Sequence, residues 1–335
     1  MATDLLTERQ ATVRGARVVA TPAVSVIIPA YKTAHLIANC LDTVFAQTYT
    51  NFETIVVNDG SPDTPELEKV LAPYLDRIVY IKQENKRAAG ARNNAIRQAR
   101  GGFVAFLDSD DTWYPNHLGT QMKLFADDPA LDLTYSDGLM LLDGGQQRKF
   151  TDKNPSAGEA TFAALVEERC QIPISTVVAR KAALERAGLF DEKLPRCDDY
   201  DMWVRTAFCG AKIGYSPELG GTIFADRPGS LSLSRVKMVE AYWSILEKFR
   251  NTLPLSATDR AVVESRAAEI KARYLLEEGK RKAQEGNFAD ARKLISEANR
   301  RFHRSSLGLV VFGLSVAPQV TAKLMSYWTA AKNAE

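Results

Sequence analysis

The chain has 335 residues, 43 Lys and Arg against 41 Asp and Glu, a net charge of +2, and 45% hydrophobic and 25% charged residues. At roughly 100–200 residues per domain it holds one large domain or two smaller ones, and its composition is ordinary for a globular protein. A globally disordered chain would be less hydrophobic and more strongly charged, and a dedicated nucleic-acid binder would carry a large basic excess, so neither class fits.

The first twenty residues are polar and mixed in charge. They lack the apolar core of a secretory signal, which predicts a flexible segment over 1–22 and a cytoplasmic protein. The pattern changes at Ala23. Val24 to Ile28 is a β-branched run stopped by Pro29, as a buried strand is where it meets a loop. Leu36, Ile37, Cys40, Leu41, Val44 and Phe45 then recur at helical spacing. Phe52 to Val57 reads as a second buried strand, running into Asn58-Asp59-Gly60-Ser61. The rhythm continues with a helix over Pro65 to Leu75, a strand over Ile78 to Ile81, a helix over Ala89 to Ala99 and a strand over Phe103 to Leu107. Such alternation predicts a doubly wound α/β domain: a mostly parallel, Rossmann-like sheet with helices on both faces.

From Thr134 to about Leu233 the pattern is mixed, with a strand at Leu133 to Ser136 and a hairpin-like Asp143-Gly144-Gly145. After Arg235 come long amphipathic helices, over Val236 to Asn251, Thr258 to Gln284 and Phe288 to Phe302. Gly286-Asn287 separates the last two in a turn like that of a tetratricopeptide repeat, but a repeat array needs several units and one is visible. The organisation expected is a segment 1–22, an α/β domain over 23–234 with halves near 23–133 and 134–234, and a helical extension over 235–335. Cys40, Cys170, Cys197 and Cys209 form no C-x-x-C pair and read as structural thiols. The apolar run from Leu307 to Ala317 is shorter than the roughly 17–25 residues that cross a bilayer. It follows Arg300, Arg301 and Arg304 and precedes Lys323, so 305–328 reads either as a helix packed in the core or as a peripheral contact with anionic lipid at the inner face of the membrane.

In open α/β sheets ligands bind beyond the carboxyl ends of the strands. The polar residues there are Pro29-Ala30-Tyr31, Asn58-Asp59-Gly60-Ser61 and Asp108-Ser109-Asp110-Asp111. Three carboxylates within four residues repel one another unless a cation intervenes, which suits Mg2+ or Mn2+; the same acids would also suit the cap of a helix begun near Pro115. Asp59 suits a hydrogen bond from a ribose or base, or an Asx turn. Tyr31 presents a face for a nucleobase or for packing. Asp198 and Asp199 open a helix carrying Met202, Trp203, Thr206 and Ala207. Acids are favoured there electrostatically, and one against an apolar wall can serve as a base. Arg92 faces a phosphate or solvent, and Arg227-Pro228-Gly229-Ser230 suits a diphosphate grip or a plain surface loop.

The set is more specific than its members. Val24 to Tyr31, Val57-Asn58-Asp59-Gly60-Ser61, Ala91-Arg92-Asn93, Phe106 to Asp111 and Asp198-Asp199-Tyr200-Asp201-Met202-Trp203 occur in the order found in family 2 glycosyltransferases of the GT-A fold, a resemblance covering about 24–234. It implies inverting, metal-dependent transfer of one sugar from a nucleotide sugar, most often a UDP-sugar, to an acceptor hydroxyl. Pro29, Tyr31, Asp59, Arg92, Asp108, Asp110 and Arg227 would bind the donor, with Asp108 and Asp110 as the D-x-D. Asp110 and Asp111 would hold Mn2+ or Mg2+, Asp199 would be the general base, and Asp198 would be its neighbour in the catalytic acidic pair. The acceptor expected is a glycan or lipid-linked glycan of cell-surface polysaccharide, lipopolysaccharide or capsule assembly, and no nucleic acid. Arg87 replaces a glycine common in the family, Arg227 a histidine, and Asp198 a glutamate. The Q-x-x-R-W motif of processive synthases is absent. A catalytically inactive scaffold using its helical tail is the other reading, and donor turnover separates the two.

Overall fold

The structure, a computed structural model, describes residues 11–15, 19–154, 156, 159–225 and 235–325. The chain forms two compact units, Met1–Ser230 and Leu231–Glu335.

The first unit is built on one twisted sheet. Its strands are β1 (Ala11–Arg14), β2 (Val24–Ala30), β3 (Phe52–Asp59), β4 (Ile78–Gln83), β5 (Phe103–Phe106), β6 (Thr112–Trp113), β7 (Leu133–Leu141), β8 (Gln147–Lys149), β9 (Val178–Arg180) and β10 (Ile213–Phe224). Its helices are α1 (Ile37–Phe45), α2 (Thr64–Leu71), α3 (Arg87–Gln98), α4 (His117–Asp127), α5 (Phe162–Val166), α6 (Lys181–Arg186) and α7 (Asp198–Phe208). The strand order is β1-β4-β3-β2-β5-β9-β7-β10-β6, with β8 on β7. Strands β4, β3, β2 and β5 run parallel, as the alternating pattern predicts. Because β3 lies on one side of β2 and β5 on the other, the sheet changes winding direction at β2, and a crevice opens beyond these strand ends.

Alternation along β2 separates the two faces of the core. Val24, Val26, Ile28 and Ala30 pack with Ile37, Cys40, Leu41 and Val44 of α1 and Leu67 and Leu71 of α2. On the opposite face Phe106 meets Phe190 and Trp203 at ring-centroid distances of 5.4 and 5.9 Å, which seats α7 against the sheet. Pro29 is tolerated inside β2 for a geometric reason. Ile27 accepts a hydrogen bond from Leu107 N–H, so the amide position two residues on faces the same side, where β5 has already ended. At the other end of the strands Glu53 is fully enclosed, taking hydrogen bonds from Ser25 Oγ at 2.8 Å and from Arg100 Nε at 3.0 Å.

The structure revises several sequence-based expectations. Residues Ala11–Arg14, inside the 1–22 stretch expected to be flexible, pair antiparallel with β4 and are pinned to the sheet. The helix expected over Pro65 to Leu75 ends at Leu71 and continues as a 3-10 turn over Ala72–Tyr74, because Pro73 cannot extend the α-helical ladder. The strand expected at Leu133 to Ser136 runs on to Leu141, and Asp143-Gly144-Gly145 joins it to β8 in the expected hairpin. The twelve-residue β10 was hidden by Gly214, Pro217, Gly220 and Gly221, and its register against β7 shifts after Ser216 and again after Leu219. Gly221 lies so close to the Thr112 carbonyl that any Cβ would overlap it, which lets β6 pair with β10.

The second unit has α8 (Arg235–Thr252), α9 (Ala257–Gln284), α10 (Phe288–Phe302) and α11 (Ser305–Val316). Ser256 caps α9 by accepting from Asp259 N–H, and Asn287 caps α10 by accepting from Asp290 N–H. Gly286, at φ +80°, supplies the left-handed residue between them. Trp243 of α8 stacks on Tyr274 of α9 at 5.7 Å. Ala283, Ala291, Ile295 and Leu314 form the buried centre shared by α9, α10 and α11. Among the described residues no helix is long and apolar enough to cross a membrane.

Candidate active site

The parallel strands bring the sequence-predicted residues to one edge of the sheet. Pro29 and Tyr31 stand at the end of β2, Asp59 closes β3, and Asp108 follows β5 by two residues. The loops there are tied to one another. Lys32, at φ +59°, donates its N–H to Ser61 Oγ at 2.6 Å, and Ala34 N–H donates to Asp63 Oδ2 at 3.0 Å. Ser109 Oγ reaches Thr33 Oγ1 at 3.0 Å. Tyr31 is left 45% exposed, its ring 5.4 Å from Lys32 Nζ, a flat surface open to the crevice. Asp59 is buried and oriented, its Oδ1 accepting from Gln83 Nε2 at 2.7 Å and from Lys86 N–H at 2.8 Å. Burial pushes its carboxyl above the ordinary range, against the pull of those donors.

Arg92 is the centre of the site. It lies on the buried side of α3 and is 4% exposed. Its guanidinium donates to Asp108 Oδ1 at 2.6 Å from one terminal nitrogen and to Asp198 Oδ2 at 2.7 Å from the other. One cation thus joins the acidic loop after β5 to the acidic pair that opens α7. Burial alone would lower its pKa, but Asp108 and Asp198 outweigh that and hold it protonated. Asp199 stands beside this pair, its Oδ1 accepting Tyr200 N–H at 2.8 Å. Burial and the Asp198 charge push Asp199 up to about 6, and Arg92 limits the rise. Two adjacent carboxylates are therefore driven apart in character: Asp198 is committed to a cation and Asp199 is poised near neutrality.

The approach to the acidic pair is built by residues that sequence reading passed over. Cys197 adopts a left-handed conformation, φ +56°, that turns the chain into α7. Asn93 holds the preceding segment by accepting Phe190 N–H at 3.0 Å and donating to the Phe190 carbonyl at 2.9 Å. Arg205 donates to Asp201 at 2.8 Å and to the Leu189 carbonyl at 2.7 Å, fastening α7 to that segment. Asn93 was visible in Ala-Arg-Asn; Cys197 and Arg205 carried no signal, since neither spacing nor residue type marks a left-handed turn or a long-range tie.

The acidic loop is organised by Asp111. Its Oδ2 accepts from Ser175 Oγ at 2.5 Å and its Oδ1 from Phe224 N–H at 2.9 Å, at the end of β10. Neither Asp110 nor Asp111 caps the following helix, because α4 starts only at His117 after Asn116. Asp111 is buried, and burial together with Asp110 and Asp108 raises its pKa well above the ordinary range. The same three carboxylates, after burial itself, raise the Cys40 thiol beneath them. Carboxylate oxygens are thus crowded together after β5, where burial and mutual repulsion oppose their ionisation unless a cation joins them. That donor set fits a divalent cation such as Mg2+ or Mn2+ held by few carboxylates together with phosphate oxygens. Among the described residues no group of three or more His, Cys, Asp or Glu side chains is placed to hold a metal ion by itself. Arg227 lies outside the described residues.

A crevice at the winding switch of a parallel sheet, lined by an open tyrosine, a buried aspartate and two acidic clusters joined by one arginine, defines a GT-A type of α/β protein. Residues 25–182 match the family Glycosyl transferase family 2. An uncharacterised glycosyltransferase of Rickettsia prowazekii is 30% identical over 228 residues, covering 67% of this chain and 71% of its own length. WfgD of Escherichia coli, a UDP-Glc:alpha-D-GlcNAc-diphosphoundecaprenol beta-1,3-glucosyltransferase, is 33% identical over 227 residues, covering 68% of this chain and 86% of its own. In fold the chain is similar to the mannosyltransferase PcManGT from Pyrobaculum calidifontis in complex with GDP-Man and Mn2+, with a TM-score of 0.60 and 18% identity over 98% of this chain and 93% of that one. The chain belongs to glycosyltransferase family 2 and is a glycosyltransferase.

Proposed function

We propose that the chain transfers one hexose, with inversion, from a UDP-sugar to a hydroxyl of a lipid-linked glycan, as a step in cell-surface polysaccharide, lipopolysaccharide or capsule assembly. The observation that carries this reading is Arg92, which fixes the acidic loop after β5 and the Asp198-Asp199 pair as two walls of one site. The UDP-sugar and the lipid-linked acceptor are supported by the activity of WfgD. In this reading the nucleobase lies on Tyr31 beside Pro29 and is read by Asp59, while Asp108 receives the ribose. Asp110, with Asp111, would hold Mn2+ or Mg2+, which when bound neutralises charge on the diphosphate. Arg227 and Arg92 supply further positive charge on that side.

Asp199 is the base. Its carboxylate takes the proton of the acceptor hydroxyl as the oxygen attacks C1 of the sugar. The bond from C1 to the diphosphate oxygen breaks on the opposite face, and its electron pair leaves with UDP. A single displacement inverts the anomeric centre. Asp198, held by Arg92, keeps a negative charge beside Asp199 and so raises its basicity.

The test is calorimetric titration of UDP, GDP and dTDP with Mn2+, with Mg2+ and with EDTA, on the wild type and on Asp110→Ala. Metal-dependent binding of UDP that Asp110→Ala abolishes is the expected result. Incubation with UDP-glucose and a GlcNAc-diphospholipid should then yield a β-linked product by NMR. A folded protein that binds none of the nucleotides overturns the proposal.

A further inference from the structure

The C-terminal end of the second unit carries a row of large apolar side chains facing outward. Leu309, Phe312 and Val316 of α11 are 72, 67 and 66% exposed, and Val320 and Leu324 in the helical turns beyond it are 61 and 58% exposed. Leu309, Phe312 and Val316 recur at spacings of three and four along one side of α11, while Val320 and Leu324 stand on the helical segment beyond the break at Ala317, which turns back so that Thr321 meets Gly313. The other side is occupied: Leu314 is buried among Ala283, Ala291 and Ile295, with Leu307, Val310 and Val311 packed alongside. The outward row is therefore not a helix that failed to find a core. It is the second apolar face of a helix whose first face is already satisfied.

Within the segment itself the charge has one sign. From Arg300 to Met325 the chain contains no Asp or Glu, and it contains Arg300, Arg301, Arg304 and Lys323. The three arginines are exposed and lie at the start of the row, where α10 ends and α11 begins. The other exposed residues of α11 are small, Ser305, Ser306, Gly308 and Ser315, so Leu309, Phe312 and Val316 stand proud of the backbone. A segment too short to span a bilayer, apolar on its free side and cationic at its end, suits a helix lying in the plane of a membrane surface.

We propose that the face formed by Leu309, Phe312, Val316, Val320 and Leu324, with Arg300, Arg301 and Arg304, docks on an anionic phospholipid bilayer. The apolar row enters the boundary between headgroups and acyl chains, and the arginines pair with lipid phosphates. A second copy of the chain is the weaker occupant, because this segment offers no acidic residue to meet its partner's arginines. The inference stands on the second unit alone and does not depend on the chemistry proposed for the first.

The test uses the full chain in flotation with vesicles of phosphatidylglycerol and phosphatidylcholine, and with phosphatidylcholine alone. Binding to the anionic vesicles alone is expected. It should fall at least about tenfold in Leu309→Glu with Phe312→Glu, and by a similar factor in Arg300→Gln with Arg301→Gln and Arg304→Gln. Raising salt from about 0.1 to 0.5 M should weaken the wild type. Helical circular dichroism and the thermal unfolding midpoint of both variants should match the wild type, which shows that the second unit folds; this control does not involve UDP and so separates the result from the fate of the transferase reading. The proposal is overturned if the folded chain ignores anionic vesicles, if the Glu variants bind them as well as the wild type, or if sedimentation reveals a dimer that the Glu variants dissociate while vesicle binding is absent.

Discussion

Asp199 and His117 show how burial sets the behaviour of single side chains. Asp199 is pushed up to about 6 by burial and Asp198. A base acts only when deprotonated, so kcat/KM should rise with pH through about 6 and level off above it, as a pH-rate profile will measure. Asp199→Asn should lower kcat by about 10²–10⁴-fold while nucleotide affinity is kept. His117 is 2% exposed, packs at a tilt against Trp113 with ring centroids 4.6 Å apart, and neither ring nitrogen has a protein hydrogen-bond partner. Burial lowers its pKa from 6.5 to about 3, so the native protein keeps it neutral where the unfolded chain takes up a proton. Stability is unaffected above pH 6.5 and is lost as pH falls below it, by about 2 kcal/mol at pH 5. Urea titrations at pH 7 and 5 should show that loss in the wild type and less of it in His117→Leu. That the two acids stand side by side was legible in the sequence, and the family resemblance implied Asp199 as the base; that Asp198 and not Asp199 reaches Arg92 was not legible, because it depends on how α3 and α7 pack.

At the scale of elements, the site is a set of ties between segments that meet only through the sheet. Arg92 of α3 spans to the loop after β5 and to the start of α7. Arg92→Met removes the shared cation and leaves two carboxylates facing each other. The cost to stability should be about 2 kcal/mol, below the roughly 3–5 kcal/mol for breaking a fully buried pair, since Asp108 keeps 33% exposure. Chemical denaturation measures that cost, and turnover should fall further than stability because Asp198 loses its anchor. The strands and helices from Val24 to Phe106 were legible because each carries its own period and its own stop signal. The stretch from β7 to β10 was not. Its glycines interrupt the strand pattern, and in the fold Gly220 and Gly221 permit close approach of β10 to β6, to Ser136 and to His117.

For the whole molecule, every described residue of the site belongs to the first unit, and each unit has its own buried centre. A chain ending at Ser230 should therefore bind UDP with Mn2+ within a factor of about 3 of the full chain, by calorimetry. The same truncation removes Leu309, Phe312 and the three arginines, so it should abolish vesicle flotation. The two outcomes together assign the donor site to one unit and the lipid contact to the other.

By itself the sequence determined the alternation of strands and helices, the strand-end motifs and the family they resemble, because hydrophobic period, turn chemistry and motif order are local properties. Tertiary structure alone decided how those motifs combine. Arg92 and Asp198 are 106 residues apart in the chain, and Asp111 meets partners 64 and 113 residues away. No local pattern encodes such pairings; they arise where strand order and helix packing bring charges together from distant parts of the chain. The outward row on α11 is of the same kind. The sequence contains an apolar run, but only the packing of its other face against α9 and α10 decides which of its residues remain exposed.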